Sequence, residues 1–282
     1  MISTNTMSAA ASLSDHQRAV GSLHVAVKRR GVASVLADLR QDGCLKARFP
    51  RPVDWAEVVT LNSSGGVAGG DRLNSLFDVG TGARATFASQ AAERFYRALP
   101  DDPPARVRTR LTIAEGGAAE WLPQESILFD RTALDRVLEA DLATDAWFLG
   151  VESLVFGRAA MGERVATARI ADTSRTRRAG RPVLHDASRL AGAVAGPHAS
   201  GATARGGAAV ATLVHVAPDA EARLDDLRAA WVGAPAEACA SAWDGMLVGR
   251  IVARDGASLR ATVIAGLACL RSGRALPRVW LC

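Results

Sequence analysis

Apolar and polar residues alternate along most of this chain in short runs. In "SLHVAVKRR" Leu23, Val25 and Val27 fall on one side. "VASVLADLR" follows Gly31, and "WAEVVTLNS" carries Val58, Val59 and Leu61 into a glycine-rich stretch. "RLNSLFDVG" and "ARATFASQA" come next, divided by Gly80 and Gly82. In "ARVRTRLTIAEGG" Val107, Thr109, Leu111 and Ile113 oppose Arg106, Arg108 and Arg110, the pattern of a half-solvated strand. "DRVLEADLA" and "DAWFLGVESLVFG" read as further strands, whereas Pro123 inside "AAEWLPQESILF" argues against a regular central strand there. Strand-length runs parted by turn residues predict a mainly β protein.

Two segments change period. "PDAEARLDDLRAAW" opens on Pro218 and Asp219 and sets Leu224, Leu227 and Trp231 at helical spacing. "DGASLRATVIAGLACLRSG" puts Leu259, Thr262, Val263, Leu267 and Leu270 on one face, with Asp255 as N-cap and Gly273 as stop. The C-terminal part is therefore expected to carry two helices, 218–231 and 256–271, over strands near 208–217 and 245–253. Residues 1–20, rich in Ser, Thr, Ala and Asn and without apolar period, read as a disordered tail. Residues 21–282 read as one domain.

The chain has 282 residues and a formal net charge of +5. Only Lys28 and Lys46 are lysines; the rest of the positive charge is arginine, densest at Arg175, Arg177, Arg178 and Arg181. No basic stripe with interleaved aromatics occurs, which argues against a nucleic-acid face. The arginine run is expected to be an exposed loop facing an acidic protein partner. Cys44, Cys239, Cys269 and Cys282 lack the CxxC spacing of zinc or redox sites. Neither a signal-peptide pattern nor a long apolar run is present, so a cytoplasmic protein with reduced cysteines is expected.

"LNSSGGVAGGDRL" suggests phosphate binding first, because Gly65 and Gly70 have the spacing of a Walker A loop. That loop needs Lys and Ser or Thr next, and here Asp71 and Arg72 follow. The dinucleotide pattern fails as well, with Ser64 where its first glycine belongs. A tight reversal between strands explains the glycines. His16, His24, His185, His198 and His215 form no HExxH, HxH or His-x3-His pair, and no GxSxG elbow occurs. Acids are the residual chemistry. Glu152 sits inside "WFLGVESLVFG", Glu120 precedes Trp121, and Asp71, Glu163 and Asp186 flank strand ends. An acid in an apolar strand must be paired, hydrogen-bonded or facing a wet cavity. Salt bridges, for example with Arg158 or Arg164, are one reading, and an acid-lined passage for a divalent cation is the other. An enzyme using Glu120 and Glu125 as acid and base is a third.

Four stretches together resemble the UreD (UreH) family. They are "LNSSGGVAGGDRL" (61–73), "SQAAERFYRA" (89–98), "EWLPQESILF" (120–129) and "ESLVFGRAAMGE" (152–163), and the ending "LPRVWLC" is similar to the family's C-terminus. The match spans roughly 22–282. Its structural signature falls on Gly65, Gly66, Gly69, Gly70, Trp121, Pro123, Gln124, Gly157, Arg158, Gly162 and Glu163. Ser63, Ser64 and Ala68 depart from the usual pattern without touching the glycines or Asp71.

The resemblance implies a fold of helix-like stacked β-sheets with a few α-helices. It also implies a non-enzymatic urease maturation protein that binds UreF, reaches UreG through UreF, docks on apo-urease and conducts Ni²⁺ towards the urease active site. No tightly bound cofactor is expected, only transient nickel. Asp71, Glu152 and Asp186 match polar family positions expected to line the nickel route, and the helices 218–231 and 256–271 are candidates for the UreF-facing surface. A β-rich binding module without a metal-transfer role is the alternative.

Overall fold

The computed structural model describes residues 17–52, 55–158, 161–194, 204 and 206–281. Most of the expected N-terminal tail, with His16, lies outside the described residues, as do His198 and Cys282. The first strand begins at Val20.

Seventeen strands and two helices follow one another among the described residues. Seven strands form one sheet: β1 (Val20–Arg30), β2 (Ala33–Gly43), β5 (Arg72–Val79), β8 (Ala105–Ile113), β11 (Ala133–Leu142), β13 (Thr167–Arg178) and β14 (Arg181–Ala193). The other ten form a second sheet: β3 (Leu45–Arg48), β4 (Ala56–Asn62), β6 (Arg84–Ser89), β7 (Glu93–Phe95), β9 (Ala118–Leu122), β10 (Ser126–Leu128), β12 (Trp147–Phe156), β15 (Ala209–Val216), β16 (Glu237–Trp243) and β17 (Met246–Ala253). The helices are α1 (Leu224–Ala230) and α2 (Gly256–Leu270).

From β4 to β13 the chain crosses repeatedly from one sheet to the other. Successive strands within each sheet then pair in parallel: β5 with β8 and β8 with β11 in one, β4 with β6 and β6 with β9 in the other. This winding is the expected helix-like stack. Antiparallel hairpins close its ends, β1–β2 and β13–β14 in one sheet and β15–β17–β16 in the other.

Strand alternation directs one set of side chains between the sheets. Leu23, Val25, Val27, Phe77, Leu111 and Ile113 meet Phe87, Trp121 and Phe148 there, nearly all of them out of reach of water. Burying side chains of this size is what holds such sheets together. A second core lies on the far face of the ten-stranded sheet, where α1 and α2 cover Leu149, Val151, Leu213 and Leu247. The predicted face of α2 is the buried one: Leu259, Thr262, Val263, Leu267 and Leu270 are all within it. Asp255 caps its start, accepting from Ser258 N at 2.7 Å. Trp231 closes the helix pair, donating from Nε1 to Thr262 O at 2.9 Å. The apolar faces of both helices are thus turned to the sheet, and only their outer faces are open to a partner.

Two expectations change, and one about Pro123 holds. Helix 218–231 is shorter: a 3₁₀ turn at Ala220–Arg223 precedes α1, and Asp219 makes no capping bond. As Pro123 led us to expect, "EWLPQESILF" is interrupted there, into β9 and β10, because proline cannot donate to the ladder. The arginine run is not a loop. Arg175, Arg177 and Arg178 lie on β13 and Arg181 opens β14, the longest hairpin of the fold. The physical reason is a column of acids in register on β11. Arg175 meets Glu139 at 3.3 Å and Arg177 meets Asp141 at 3.5 Å. Long arginine stems stand here where apolar side chains would otherwise mark a strand.

Candidate functional site

The four blocks singled out in the sequence converge at one place. The glycine-rich loop lies against residues 94–96, with Val67 N donating to Arg94 O at 2.7 Å and Tyr96 N to Val67 O at 2.8 Å. Tyr96 Oη donates to Gly65 O at 2.8 Å. The Tyr96 ring packs edge-on to Phe129, 5.0 Å between centroids. Arg158 stacks 4.3 Å above the Phe129 ring and pairs with Glu163 at 2.7 Å. Gly66 is required here, since its φ is +147° and a Cβ would enter the Tyr96 ring. Gly157, at φ +81°, leaves no room for a Cβ beside Glu163 O, 2.5 Å away.

The third block also ties in the C-terminus. Gln124 N donates to Ser89 Oγ at 2.8 Å and Gln124 Nε2 to Val279 O at 2.5 Å. Arg260, on α2, donates to Gln124 Oε1 at 2.6 Å and stacks on Trp280. Trp280 Nε1 donates to Leu122 O at 3.0 Å.

Glu152 points from β12 into the space between the sheets. Arg136 on β11 donates from Nη1 to its Oε2 at 2.7 Å, and Trp121 donates from Nε1 to its Oε1 at 2.7 Å. Arg136 gives the rest of its fork to Asp172 on β13, Nε at 2.8 Å and Nη2 at 2.6 Å. One guanidinium therefore serves two carboxylates. Burial pushes the Glu152 carboxyl up, and the neighbouring Asp172 charge adds to this against the pull of Arg136.

Glu152, Asp172 and Asp186 border one cavity of about 40 Å³, with Ser174, Ser188 and Thr212 supplying hydroxyls. That is room for water with several polar partners. Asp186 on β14 pairs across the sheets with Arg250 on β17 at 2.6 Å, and Arg250 also donates to Thr212 Oγ1 at 2.8 Å. Asp71 is placed elsewhere. Its Oδ1 accepts from Ala19 N and its Oδ2 from Ala68 N, both at 2.8 Å, so it fastens the glycine-rich loop to the start of β1. Asp172 and Arg136 were not singled out in the sequence. Arg136 interrupts the apolar face of "ALDRVLEADL", the one signal that could have pointed to it.

Glu120 and Glu125 are held by arginines of the helical layer. Glu120 is fully buried and receives Arg271 at 2.9 and 3.0 Å, Arg274 at 2.6 Å and Thr86 Oγ1 at 2.6 Å. Glu125 pairs with Arg260 at 3.0 Å. With its oxygens so occupied, Glu120 has no free lone pair aimed at a substrate. Among the described residues, no group of three or more His, Cys, Asp and Glu is arranged to hold a metal ion. Among the same residues, no helix is long and apolar enough to cross a membrane.

Comparison with known proteins places the chain in a family. The model of the UreD urease accessory protein family matches residues 19–281. The urease accessory protein UreD of Sinorhizobium medicae (strain WSM419) is 44% identical over 278 residues, covering 97% of this chain and 99% of that protein. The urease accessory protein UreD of Methylobacterium sp. (strain 4-46) is 46% identical over 256 residues, covering 89% of this chain and 90% of that protein. The protein of the same name from Dinoroseobacter shibae (strain DSM 16493 / NCIMB 14021 / DFL 12) is 44% identical over 270 residues. With a family model spanning nearly the whole chain and relatives this similar over nearly their full length, the chain belongs to the UreD urease accessory protein family.

Proposed function

We propose that this chain is a non-catalytic scaffold of urease maturation. It binds UreF, reaches UreG through UreF, docks on apo-urease and conducts Ni²⁺ towards the urease active site. The observation that carries the reading is the polar cavity between the sheets, where Glu152, Asp172 and Asp186 converge. Carboxylate and hydroxyl oxygens hold a divalent cation loosely, and passage requires sites that release as readily as they bind. Asp71 acts in this reading through the loop it fastens, at the rim of the family blocks.

A second reading has its own support. Glu152 and Asp186 each already have an arginine counter-ion, as in a binding module that moves no metal. The test is the double variant Glu152→Gln/Asp186→Asn, co-expressed with UreF, UreG and apo-urease. The conduit predicts normal assembly by pull-down with less nickel per urease and lower activation. Normal assembly with normal activation, or loss of assembly itself, supports the binding module instead.

A further inference from the structure

Two concavities meet on the surface where the segment 96–100 runs beside the turn at Asp130 and Arg131. One, of about 310 Å³, is bordered by Leu99, Pro100 and Arg169. The other, of about 540 Å³, is bordered by Tyr96, Phe129 and Glu163. Arg97 and Arg131 border both and form the ridge between them. Their backbones are neighbours, since Arg97 bridges to Thr132.

The acids on this ridge are engaged elsewhere. Asp130 Oδ1 accepts from Ala166 N at 2.8 Å and from Thr167 N at 2.9 Å. These backbone bonds, that to Thr167 foremost, hold its carboxyl below the usual range. Its contact with Arg131 is 3.5 Å long and exposed, a pair that contributes little. Glu163 belongs to Arg158. Arg97 makes no ion pair or side-chain hydrogen bond among the described residues. Arg131 sits at φ +62°, a conformation that glycine adopts freely and arginine does not. A guanidinium carried on such a strained backbone position points to a use for it.

We propose that this double concavity binds an extended acidic segment of a partner protein. Its carboxylates are taken by Arg97 and Arg131, and an apolar side chain of the segment lies over Leu99 and Pro100. Guanidinium forks match carboxylates in shape as well as charge. Leu99 is 43% exposed beside them, an apolar contact that a bare oxyanion would not use. Arginine clusters recognise acidic segments in this way. The site shares no bordering residue with the cavity at Glu152, so it does not depend on metal passage.

The test uses the full chain and a fluorescein-labelled peptide that alternates glutamate with leucine, followed by anisotropy at low salt. Saturable binding is expected. It should weaken about tenfold or more in Arg97→Gln and in Arg131→Gly, the loss of one charge-assisted bond or more. It should be unchanged in Arg40→Gln, an exposed arginine on β2. Arg131→Gly also relieves the backbone, so its Tm should equal or exceed that of the parent, which an arginine kept for stability would not allow. Absence of saturable binding overturns the proposal, and so does undiminished binding in the two ridge variants. Equal displacement by inorganic phosphate at the same charge concentration also overturns it, by making the site an oxyanion pocket.

Discussion

Arg136 and Glu152 face each other across the interior of the protein, Nη1 to Oε2 at 2.7 Å, one from each sheet. The other two arginine nitrogens belong to Asp172, which lies directly opposite Arg136 in the β11–β13 ladder. Asp172 holds the bidentate share of the guanidinium and Glu152 a single bond. Burial pushes the Glu152 carboxyl up, and the guanidinium it shares with Asp172 only partly opposes this.

Removing the guanidinium should be far worse than neutralising one acid. Arg136→Met leaves Glu152 and Asp172 buried without their counter-ion, Glu152 keeping only its bond from Trp121, and should cost about 3–5 kcal/mol. Glu152→Gln leaves the Arg136–Asp172 fork intact and should cost about 1–3 kcal/mol. Urea titration followed by circular dichroism orders the two. A smaller loss for Arg136→Met would mean that the carboxylates find water once the arginine is gone.

Glu120 is the opposite arrangement, one carboxylate shared by two guanidiniums. Arg274 also stacks 4.0 Å above Trp55, so the cluster joins the C-terminal segment to β9 and the loop before β4. Burial raises the Glu120 carboxyl, but the Arg271, Thr86 and Arg274 bonds outweigh it and hold it below its usual 4.5. The folded chain therefore binds fewer protons there than the unfolded chain. This stabilisation is complete above pH 4.5 and lost as pH falls through the lowered value. Glu120→Gln should cost about 3–5 kcal/mol at neutral pH and make unfolding less steep with acid below pH 4.5. Denaturation midpoints measured from pH 7 to pH 3 check both parts.

Asp71 should behave as a clamp. Asp71→Ala removes the acceptor of two backbone N–H groups, Ala19 and Ala68, and should cost about 1–3 kcal/mol. Asp71→Asn keeps one acceptor oxygen and should lose less. Hydrogen exchange should speed up at Ala19 and Ala68 in Asp71→Ala and leave the amides of β8 unchanged. Equal exchange at Ala19 and Ala68 would show that the loop holds without the clamp.

The sequence foretold what a period of two or 3.6 can encode. β1, β8 and α2 were legible because Leu23, Val25 and Val27, then Leu111 and Ile113, then Leu259 to Leu270 repeat at the spacing their faces require. β13 and β14 were not, because Ala168 and Ile170 are nearly all their buried apolar residues. Their register comes instead from acids on β11, more than thirty residues away in sequence. Glu152 was conspicuous as a charge among apolar neighbours, yet its partner is Arg136 rather than the nearby Arg158 or Arg164. Partners across two sheets are set by how strands stack, which local spacing does not carry. The same holds for Asp172, whose place in the cavity appears only once β13 lies beside β11.

His215 gives a pH dependence distinct from that of the carboxylates. It lies buried on β15, its Nδ1 3.2 Å from Phe148 O and its ring 5.1 Å from the Trp147 centroid. Burial drives its pKa down from 6.5 to about 4, and the hydrogen bond to Phe148 O only partly opposes this. Between those values the unfolded chain is protonated at this position and the folded chain is not. Stability should therefore rise with pH from about 4 to 6.5 and level off above, by on the order of 3 kcal/mol from this group alone. His215→Phe keeps an aromatic ring against Trp147 and cannot titrate. Its stability should be flatter than the parent's over that interval, although loss of the bond to Phe148 O lowers it by about 0.5–1.5 kcal/mol at neutral pH. Urea midpoints of parent and variant at pH 4.5, 5.5, 6.5 and 7.5 measure the difference. Parallel curves across the interval would mean that His215 takes up its proton in the folded state.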